Sequence, residues 1–253
     1  MNLLQEQSNL HYLDALSKNF GHDLKSSFAA IKSGIGGVQS YLPLLMDAYQ
    51  IASLHGLEVP EISKKHFELL TKSIALIEKA AINADCQLNI FITNLSEFNA
   101  DSLILNKCSI KDCLHTAIEQ FPYKYNEAYA LLKNAAFSLN DFPFQGVKPL
   151  MVNLFLNLLQ FILYKVEYAR QEDISIFSET SIDNHSLHIG NIVLGIRNDE
   201  MQYLFDPLYG IQHSYINMGL FFCKRLMHAL NGDILCREQG CDFTEFVLSF
   251  PNH

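Results

Sequence analysis

The residues best placed for chemistry are His22 and Asp23, which are adjacent inside a long helical pattern. An apolar stripe in steps of three and four marks the buried side of this predicted helix, and Phe20 and Leu24 belong to it. At about 100° of rotation per residue, His22 lies roughly 200° from both, on the open face. A neutral imidazole there can act as a nucleophile, and a neighbouring carboxylate can orient the ring or accept its proton. The pair predicts a nucleophilic centre.

Two long helices are predicted to carry this centre. The first ends at a break over 56–60, which contains Gly56 and Pro60, and Ser63 is a plausible N-cap for the second. Pro43 is expected to bend or break the first helix. The second helix shows the unbroken three-four alternation of a coiled coil or a four-helix bundle. The predicted seam comprises Leu16, Phe20, Leu24, Phe28, Ile31 and Ile35 against Ile74, Ile77, Ala81, Ala84, Leu88 and Phe91.

One narrow seam per helix buries little apolar surface within a single hairpin. We therefore expect two copies to form a homodimeric four-helix bundle. The alternative is that the hairpin packs against the rest of its own chain. The predicted domains are a helical hairpin over 1–100 and an α/β domain over 101–253.

The second domain mixes helices and strands. Helices are predicted over 110–121, 148–170 and 218–230, the last ended by Asn231 and Gly232. Strands are predicted over 135–139, 174–180, 186–189, 233–236 and 243–250. This order indicates an α+β chain whose second half is a sandwich of helices over one mixed sheet.

Composition restricts the partners. The formal net charge of −9 over 253 residues and the lack of a basic run argue against nucleic acid. The most apolar window, 151–163, is too short to span a bilayer, and the N-terminus does not resemble a secretory signal. We expect a cytoplasmic protein that binds neither nucleic acid nor membrane.

Metal binding is not predicted. The six cysteines form no C-x-x-C pair, and Cys108/Cys113 and Cys236/Cys241 are not at a usual zinc spacing. His185 and His188 are an isolated pair. Reduced, partly buried thiols are the better interpretation.

Several short motifs then follow one another in a specific order. His22–Phe28 looks like a phosphoacceptor box, with Ser27 where proline is usual, and 157–163 looks like an asparagine box. Phe205-Asp206-Pro207-Leu208 looks like a phenylalanine box, and the run 219–234 looks like a second glycine box. In this order the chain resembles the cytoplasmic core of bacterial sensor histidine kinases, and the run 31–43 is most similar to those of the quorum-sensing kind. The resemblance implies a dimerisation and phosphotransfer hairpin followed by an ATP-binding-like domain.

The chain departs from this family at the positions that hold nucleotide. Beyond Asn157, Phe161 stands where the family has a magnesium ligand and can coordinate nothing. Asn191, Val193 and Gly195 stand in the adenine box, where Val193 replaces a glycine and Asn191 retains at most a weak acceptor. Gly219 remains from the second glycine box, among Asn217, Met218 and Phe221. We therefore expect no cofactor.

The resemblance implies a histidine phosphotransferase that works without ATP. His22 would carry the phosphoryl group and Asp23 would orient its ring, while Lys25 and Ser26 would contact a receiver domain. Ser26 also stands where phosphatase-competent relatives orient water. The implied partner is the receiver domain of a response regulator or a hybrid kinase. Two alternatives stay open: a divergent ATP-using sensor kinase, and a non-catalytic regulator that binds a receiver or a kinase.

Overall fold

The computed structural model describes residues 3–95, 103–121, 126–137, 139–169, 174–182, 184–192, 201, 203–206, 216–238 and 244–252. Within its helices and strands, the side chains of 3–22, 95, 126–127, 137, 164–169, 191–192 and 216–218 lie outside the description. The chain divides into two compact units, Met1–Ile92 and Thr93–His253.

The first unit is a hairpin of two long helices, α1 (Leu3–Leu54) and α2 (Lys64–Leu95). The predicted break is confirmed, because Gly56 has φ 68° and closes α1 in a Schellman motif. Its N–H donates to the carbonyl of Ser53, and the N–H of Leu57 donates to that of Ala52. Ser63 caps α2 as predicted, since its hydroxyl accepts from the N–H of His66 at 3.4 Å.

Pro43 does not break α1, which corrects the stronger form of that prediction. The helix runs through it from Leu3 to Leu54. Proline removes one backbone donor and crowds the preceding turn. Pro43 is exposed, and so is Gln39, whose carbonyl loses its helical donor. Water can reach that carbonyl, so a proline is tolerated at this position.

The two helices meet along one strip of the predicted seam. This inner strip consists of Ile35, Leu42, Ile74 and Ala81, and all but the half-buried Leu42 are buried. Polar contacts flank it: the Gln39 side chain donates to Glu78 at 2.6 Å, and Lys32 lies 3.6 Å from Asp85.

Leu24, Phe28, Ala84 and Leu88 of the predicted seam are half-buried, and the side chains of Leu16 and Phe20 lie outside the described residues. Other positions, three residues after the heptad positions of the inner strip, are exposed and lie seven or fourteen residues apart on each helix. This outer strip consists of Ile31, Val38, Leu45, Leu70, Ile77 and Phe91. The single chain leaves Ile31, Ile77 and Phe91 of the predicted seam uncovered, and their burial in a homodimer stays a prediction. A four-helix bundle requires such a division, because each helix contacts two neighbours.

The second unit is an α/β domain. Its elements in chain order are β1 (Asn106–Ser109), α3 (Ile110–Gln120), α4 (Asn126–Phe137), β2 (Pro143–Gly146), α5 (Lys148–Ala169), β3 (Ser175–Thr180), β4 (Asn184–Ile192), α6 (Ile216–Ala229), β5 (Asp233–Glu238) and β6 (Thr244–Pro251). Four strands pair in the order β3-β4-β6-β5, and β1 pairs with β2. All described pairings are antiparallel, so the prediction of one mixed sheet is wrong.

The core of this unit lies between α5 and the larger sheet. Leu154, Phe155, Leu158 and Ile162 of α5 are fully buried, as a long apolar helix in the middle of a domain requires. Strand β6 contributes Phe246, Leu248 and Phe250 to the core. Helix α6 ends as predicted, with Asn231 at φ 56° and the N–H of Gly232 donating to the carbonyl of Met227.

The strand predicted over 135–139 is instead the end of α4. Leu132 and Ala136, one turn apart, are both fully buried on that helix. Alanine and leucine favour helix strongly, and the alanine-rich run 128–136 continues that preference up to Phe137. The short strands β1 and β2 were not predicted.

Candidate functional site

The phosphoacceptor-like segment lies within the unbroken part of α1. Asp23, Lys25 and Ser26 are exposed there, whereas Leu24 and Phe28 are half-buried. The segment therefore has the polar face and apolar face that the stripe predicted. His22 belongs to the same helix, but its side chain lies outside the described part, so its exposure stays a prediction.

Ser27 stands where the family that this chain resembles usually has proline, and it lets the helix continue through this position. Its hydroxyl donates to the carbonyl of Asp23 at 3.0 Å, one turn earlier. Serine commonly makes this bond within helices, and unlike proline it keeps its own backbone N–H. The helix therefore passes through the segment as regular structure.

Asn157 lies at the centre of a buried cluster of three amides. Its Nδ2 donates to Oδ1 of Asn94 at 2.9 Å and to the carbonyl of Asn153 at 2.8 Å. Its Oδ1 accepts from Nδ2 of Asn94 at 2.7 Å. The Asn153 side chain also donates to Oδ1 of Asn94, at 3.2 Å. Both N–H groups of Asn157 are thus used, and its side chain is only 2% exposed.

Gly219 is the point of closest approach between α6 and this cluster. A Cβ atom added to Gly219 would overlap Oδ1 of Asn157 and come within 3.1 Å of its Cβ. Side chains essentially never approach so closely, so residue 219 has to be glycine for α6 to pack on α5 here. Gly219 and Asn157, which the resemblance assigned to one nucleotide site, are in contact with each other.

Phe161 lies one turn beyond Asn157 and is 2% exposed. Its ring meets Phe246 edge-on, with centroids 5.8 Å apart and planes at 88°. The ring of Phe205 also meets that of Phe246 edge-on, with centroids 6.4 Å apart and planes at 86°. The Lys224 ammonium lies 5.4 Å from the ring centroid of Phe205. The position at which the resembling kinases have a magnesium ligand is therefore part of an aromatic core in this chain.

The adenine-box positions fall at an irregularity in the sheet. Strand β4 carries one extra residue against β6 between Ile189 and Ile192, a β-bulge that includes Asn191. The side chain of Asn191 and residues Val193 and Gly195 lie outside the described part of the chain. Among the residues beside Gly219 in the second glycine box, Phe221 is half-buried, with the Arg225 guanidinium 5.7 Å from its ring centroid.

The second histidine of the His185/His188 pair belongs to a polar network that the sequence did not reveal. Its Nδ1 lies 3.1 Å from Oε1 of buried Glu245, and Nε of Arg237 donates to Oε2 of the same carboxylate at 2.7 Å. Phe177 stacks on the His188 ring at 4.6 Å. His185 instead stacks on Phe142 at 4.8 Å. Residues three apart on a strand point to opposite faces, so the two histidines cannot share a ligand.

The described cysteines are free thiols. Burial raises the pKa of Cys113 and that of Cys236 to about 12. Thiols that stay protonated at neutral pH are weak nucleophiles and weak metal ligands. Among the residues the structure describes, no group of three His, Cys, Asp or Glu side chains could hold a metal ion.

Asn94 is the site residue that sequence reasoning missed. The available signal was the pair Asn153 and Asn157, one turn apart within an apolar helix, since buried amides require partners. Nothing in the sequence indicates which residue supplies those partners, because Asn94 and Asn157 are 63 residues apart.

Two quorum-sensing kinases are similar to this chain in sequence. The CAI-1 autoinducer sensor kinase/phosphatase CqsS of Vibrio cholerae is 25% identical over 246 residues, which are 94% of this chain and 34% of CqsS. The autoinducer 1 sensor kinase/phosphatase LuxN of Vibrio harveyi is 23% identical over 175 residues, 68% of this chain and 20% of LuxN. The chain thus spans about a third and about a fifth of the lengths of these relatives. No family model matches it.

A solved structure extends the likeness to the fold. Full-length ShkA in complex with AMPPNP superposes on 95% of this chain and 45% of its own, with a TM-score of 0.55 and 12% identity. The chain has a histidine-kinase-like core: a helical N-terminal part, then an α/β domain like the ATPase domains of histidine kinases. It is related to quorum-sensing sensor kinases. Across the described residues, no helix combines the length and the apolar character needed to cross a membrane.

Proposed function

We propose that the chain is a histidine phosphotransferase, a pseudo-histidine-kinase that relays phosphoryl groups between His22 and receiver-domain aspartates without ATP. The observation that carries the proposal is the internal use of Asn157. Its amide hydrogen-bonds to Asn94 and Asn153, and the next residue expected to serve the nucleotide, Phe161, packs in the core. A side chain held this way is not available to a phosphate or to the metal that autophosphorylation requires.

The proposed step transfers a phosphoryl group from an aspartyl phosphate to imidazole. A nitrogen of His22 attacks phosphorus, the N–P bond forms, and the bond between phosphorus and the aspartate oxygen breaks to release a carboxylate. The proton displaced from the ring passes to Asp23 or to solvent. The reverse step passes the group to a second receiver.

Exposed residues after His22 would form the receiver contact. Lys25 and Ser26 lie on the open face of α1, within one turn of His22. An ammonium there attracts the phosphorylated acidic site of a receiver, and a hydroxyl can hydrogen-bond to it. These two residues are proposed to select and orient the partner.

The proposed assembly is a homodimer. The outer strip exposes Ile31, Val38, Leu45, Leu70, Ile77 and Phe91 at spacings of seven or fourteen residues, beside an inner strip already used within the chain. A continuous apolar strip of this kind is rarely left in water. A second copy offers an identical strip, so a two-fold bundle would bury both.

The decisive experiment combines the chain with receiver domains from the same genome, phosphorylated on aspartate. We expect acid-labile, base-stable phosphate on the chain. His22→Gln should abolish this phosphorylation. His55→Gln, at an exposed histidine directly after the end of α1, should not. Phosphate that persists in His22→Gln, or no transfer from any receiver, would contradict the relay.

The main rival is an ATP-using sensor kinase, which the names of the two Vibrio relatives favour. A thermal-shift titration with ATP and magnesium separates the two, because a ligand that does not bind the native state cannot stabilise it. We expect no shift. Saturable stabilisation, together with label from ATP on His22, would favour the kinase. A non-catalytic regulator predicts instead that His22→Ala leaves the biological role intact.

A further inference from the structure

A groove of about 510 Å³ lies at the closed end of the hairpin, where the end of α1 faces the start of α2. Met46, Ile62 and Phe67 supply much of its apolar lining. Tyr49 completes this part of the wall, with its ring 5.4 Å from that of Phe67 and tilted by 58°. Sites for small molecules commonly measure about 300–1,000 Å³. The groove therefore has the size of a site for a small organic molecule.

Hydrogen bonds hold the wall of this groove in place. The hydroxyl of Tyr49 donates to the carbonyl of Pro60 at 2.8 Å and accepts from the N–H of Ile62 at 2.7 Å. These two hydrogen bonds connect the loop before α2 to the end of α1. A ligand would meet a wall that is already ordered, which reduces the entropy cost of binding.

Charged side chains at the rim favour an anion. Lys64, Glu68 and Lys72 follow one another at four-residue intervals on α2 and border the groove. Within the described part of the chain, neither lysine ammonium makes an ion pair. Lys64 also begins α2, where the helix dipole is positive. Two cations and one carboxylate leave the rim with net positive charge.

The groove lies on the side of the hairpin away from the outer strip. The outer-strip residues Val38 and Ile77 follow the inner-strip residues Ile35 and Ile74 by three residues, a rotation of about −60°. The groove residue Met46 follows the inner-strip residue Leu42 by four residues, about +40°, and Thr71 follows Phe67, one heptad before Ile74, by the same step. The proposed dimer would therefore leave the groove open to solvent.

We infer that this groove is a binding site for a hydrophobic organic anion, an apolar or aromatic body with one carboxylate. The body would lie against Met46, Tyr49 and Phe67, and the carboxylate would face Lys64 and Lys72. The site does not depend on phosphotransfer by His22.

Methionine methyl NMR on the full chain tests this inference with 2-naphthoate as the probe. Met46 is the one methionine among the groove residues, so [¹³C-methyl]methionine labelling gives a local reporter, assigned with Met46→Leu. We expect a saturable shift of the Met46 signal in the millimolar range or below, and none with the cation 2-naphthylmethylammonium. The double variant Lys64→Gln/Lys72→Gln should weaken binding about fivefold, the effect of two exposed ion pairs. Lys65→Gln, outside the groove, should leave it unchanged.

Three results would overturn the inference. The first is a Met46 chemical shift that does not saturate with 2-naphthoate. The second is an equal shift with 2-naphthylmethylammonium, and the third is a shift of similar size at the other methionines. Dilution that changes the Met46 signal as the protein becomes monomeric would show that a second copy covers the groove. Loss of phosphotransfer would leave all these readouts unaffected, so failure of the proposed function and failure of this site are distinguishable.

Discussion

Asn94 and Asn157 exchange two side-chain hydrogen bonds, of 2.7 and 2.9 Å, so that each amide completes the other. The pair is at least half-buried, and Asn157 is nearly inaccessible. A polar pair of this kind fixes the end of α2 against α5 within the Thr93–His253 unit. Removing Asn94 leaves Oδ1 and one N–H of Asn157 without partners, although the other N–H still donates to the carbonyl of Asn153. Leaving buried polar groups unpaired costs more than the bonds themselves contribute.

Asn94→Leu should therefore destabilise the second unit by about 1–3 kcal/mol, because Asn157 would keep a buried oxygen and N–H without partners. Urea unfolding followed by circular dichroism measures the change. Gln87→Leu, at an exposed position on the same helix, is the matched control and should change stability little. A double-mutant cycle of Asn94→Ala and Asn157→Ala with no coupling energy would contradict the interpretation.

Gly219→Ala should destabilise the same unit by about 1–3 kcal/mol, since the new methyl group overlaps the Asn157 amide. Adding Asn157→Ala should recover part of the loss. Gly34→Ala is the control of opposite sign: nothing lies within 4 Å of its added Cβ, and alanine favours helix by up to about 1 kcal/mol. Calorimetry of the three variants measures these effects. Equal effects at both glycines would mean that the contact at Gly219 is unimportant.

Ile77→Glu should convert the proposed dimer to a folded monomer, because it places a carboxylate within the outer strip. Ile77 is 52% exposed in the single chain, so the hairpin itself should survive. Leu76→Glu is the control, since Leu76 is 68% exposed and points away from both strips. Sedimentation velocity distinguishes the species. A monomeric unmodified chain, or a dimer that persists with Ile77→Glu, would argue against this interface.

Asp233 should stabilise the fold in a pH-dependent way. Partial burial alone would raise the pKa of Asp233, but hydrogen bonds from the Lys224 ammonium and the Ile234 N–H, with the charge of Lys224, hold that pKa below its usual value. A lowered native pKa means that the stabilisation is complete above the unfolded pKa of about 3.9 and is lost as pH falls through the native value.

The difference in stability between the unmodified chain and Asp233→Asn should be up to about 1 kcal/mol near neutral pH, as for partly exposed pairs. It should vanish between about pH 5 and pH 2. Urea titrations at several pH values measure this difference, with Asp47→Asn, at an exposed carboxylate on α1, as the surface control. A difference that grows in acid would have the wrong sign.

Local chemistry predicted every helix except α4 well and the sheet less well. Gly56, Ser63 and Asn231 act within one or two turns of the helix ends that they determine, so the sequence around each was enough. β1 and β2 are four residues each and depend on each other for pairing, and no short-range pattern marks them. The strand predicted over 135–139 failed because the helix preference of the preceding run extends through Ala136.

The candidate site was predictable by residue type and not by contact. Phe161 could be recognised as unable to bind a metal from its side chain alone, but its contact with Phe246 is known only from the structure. The partners of Asn157 could not be inferred, because the amides of Asn94 and Asn157 meet only when the unit has folded.

The amide cluster has an evolutionary consequence. Asn157 is tied to Asn94, and Gly219 must remain small because Asn157 occupies the adjoining space. Evolution back towards nucleotide recognition would first have to break the hydrogen bonds between Asn157 and Asn94. That single change would destabilise the domain before a bound ligand could compensate. Phe161 adds a second barrier, since replacing it removes a buried ring. On the proposed function, intermediates that regain nucleotide binding would be less stable than the starting protein, so the proposed loss would be difficult to reverse.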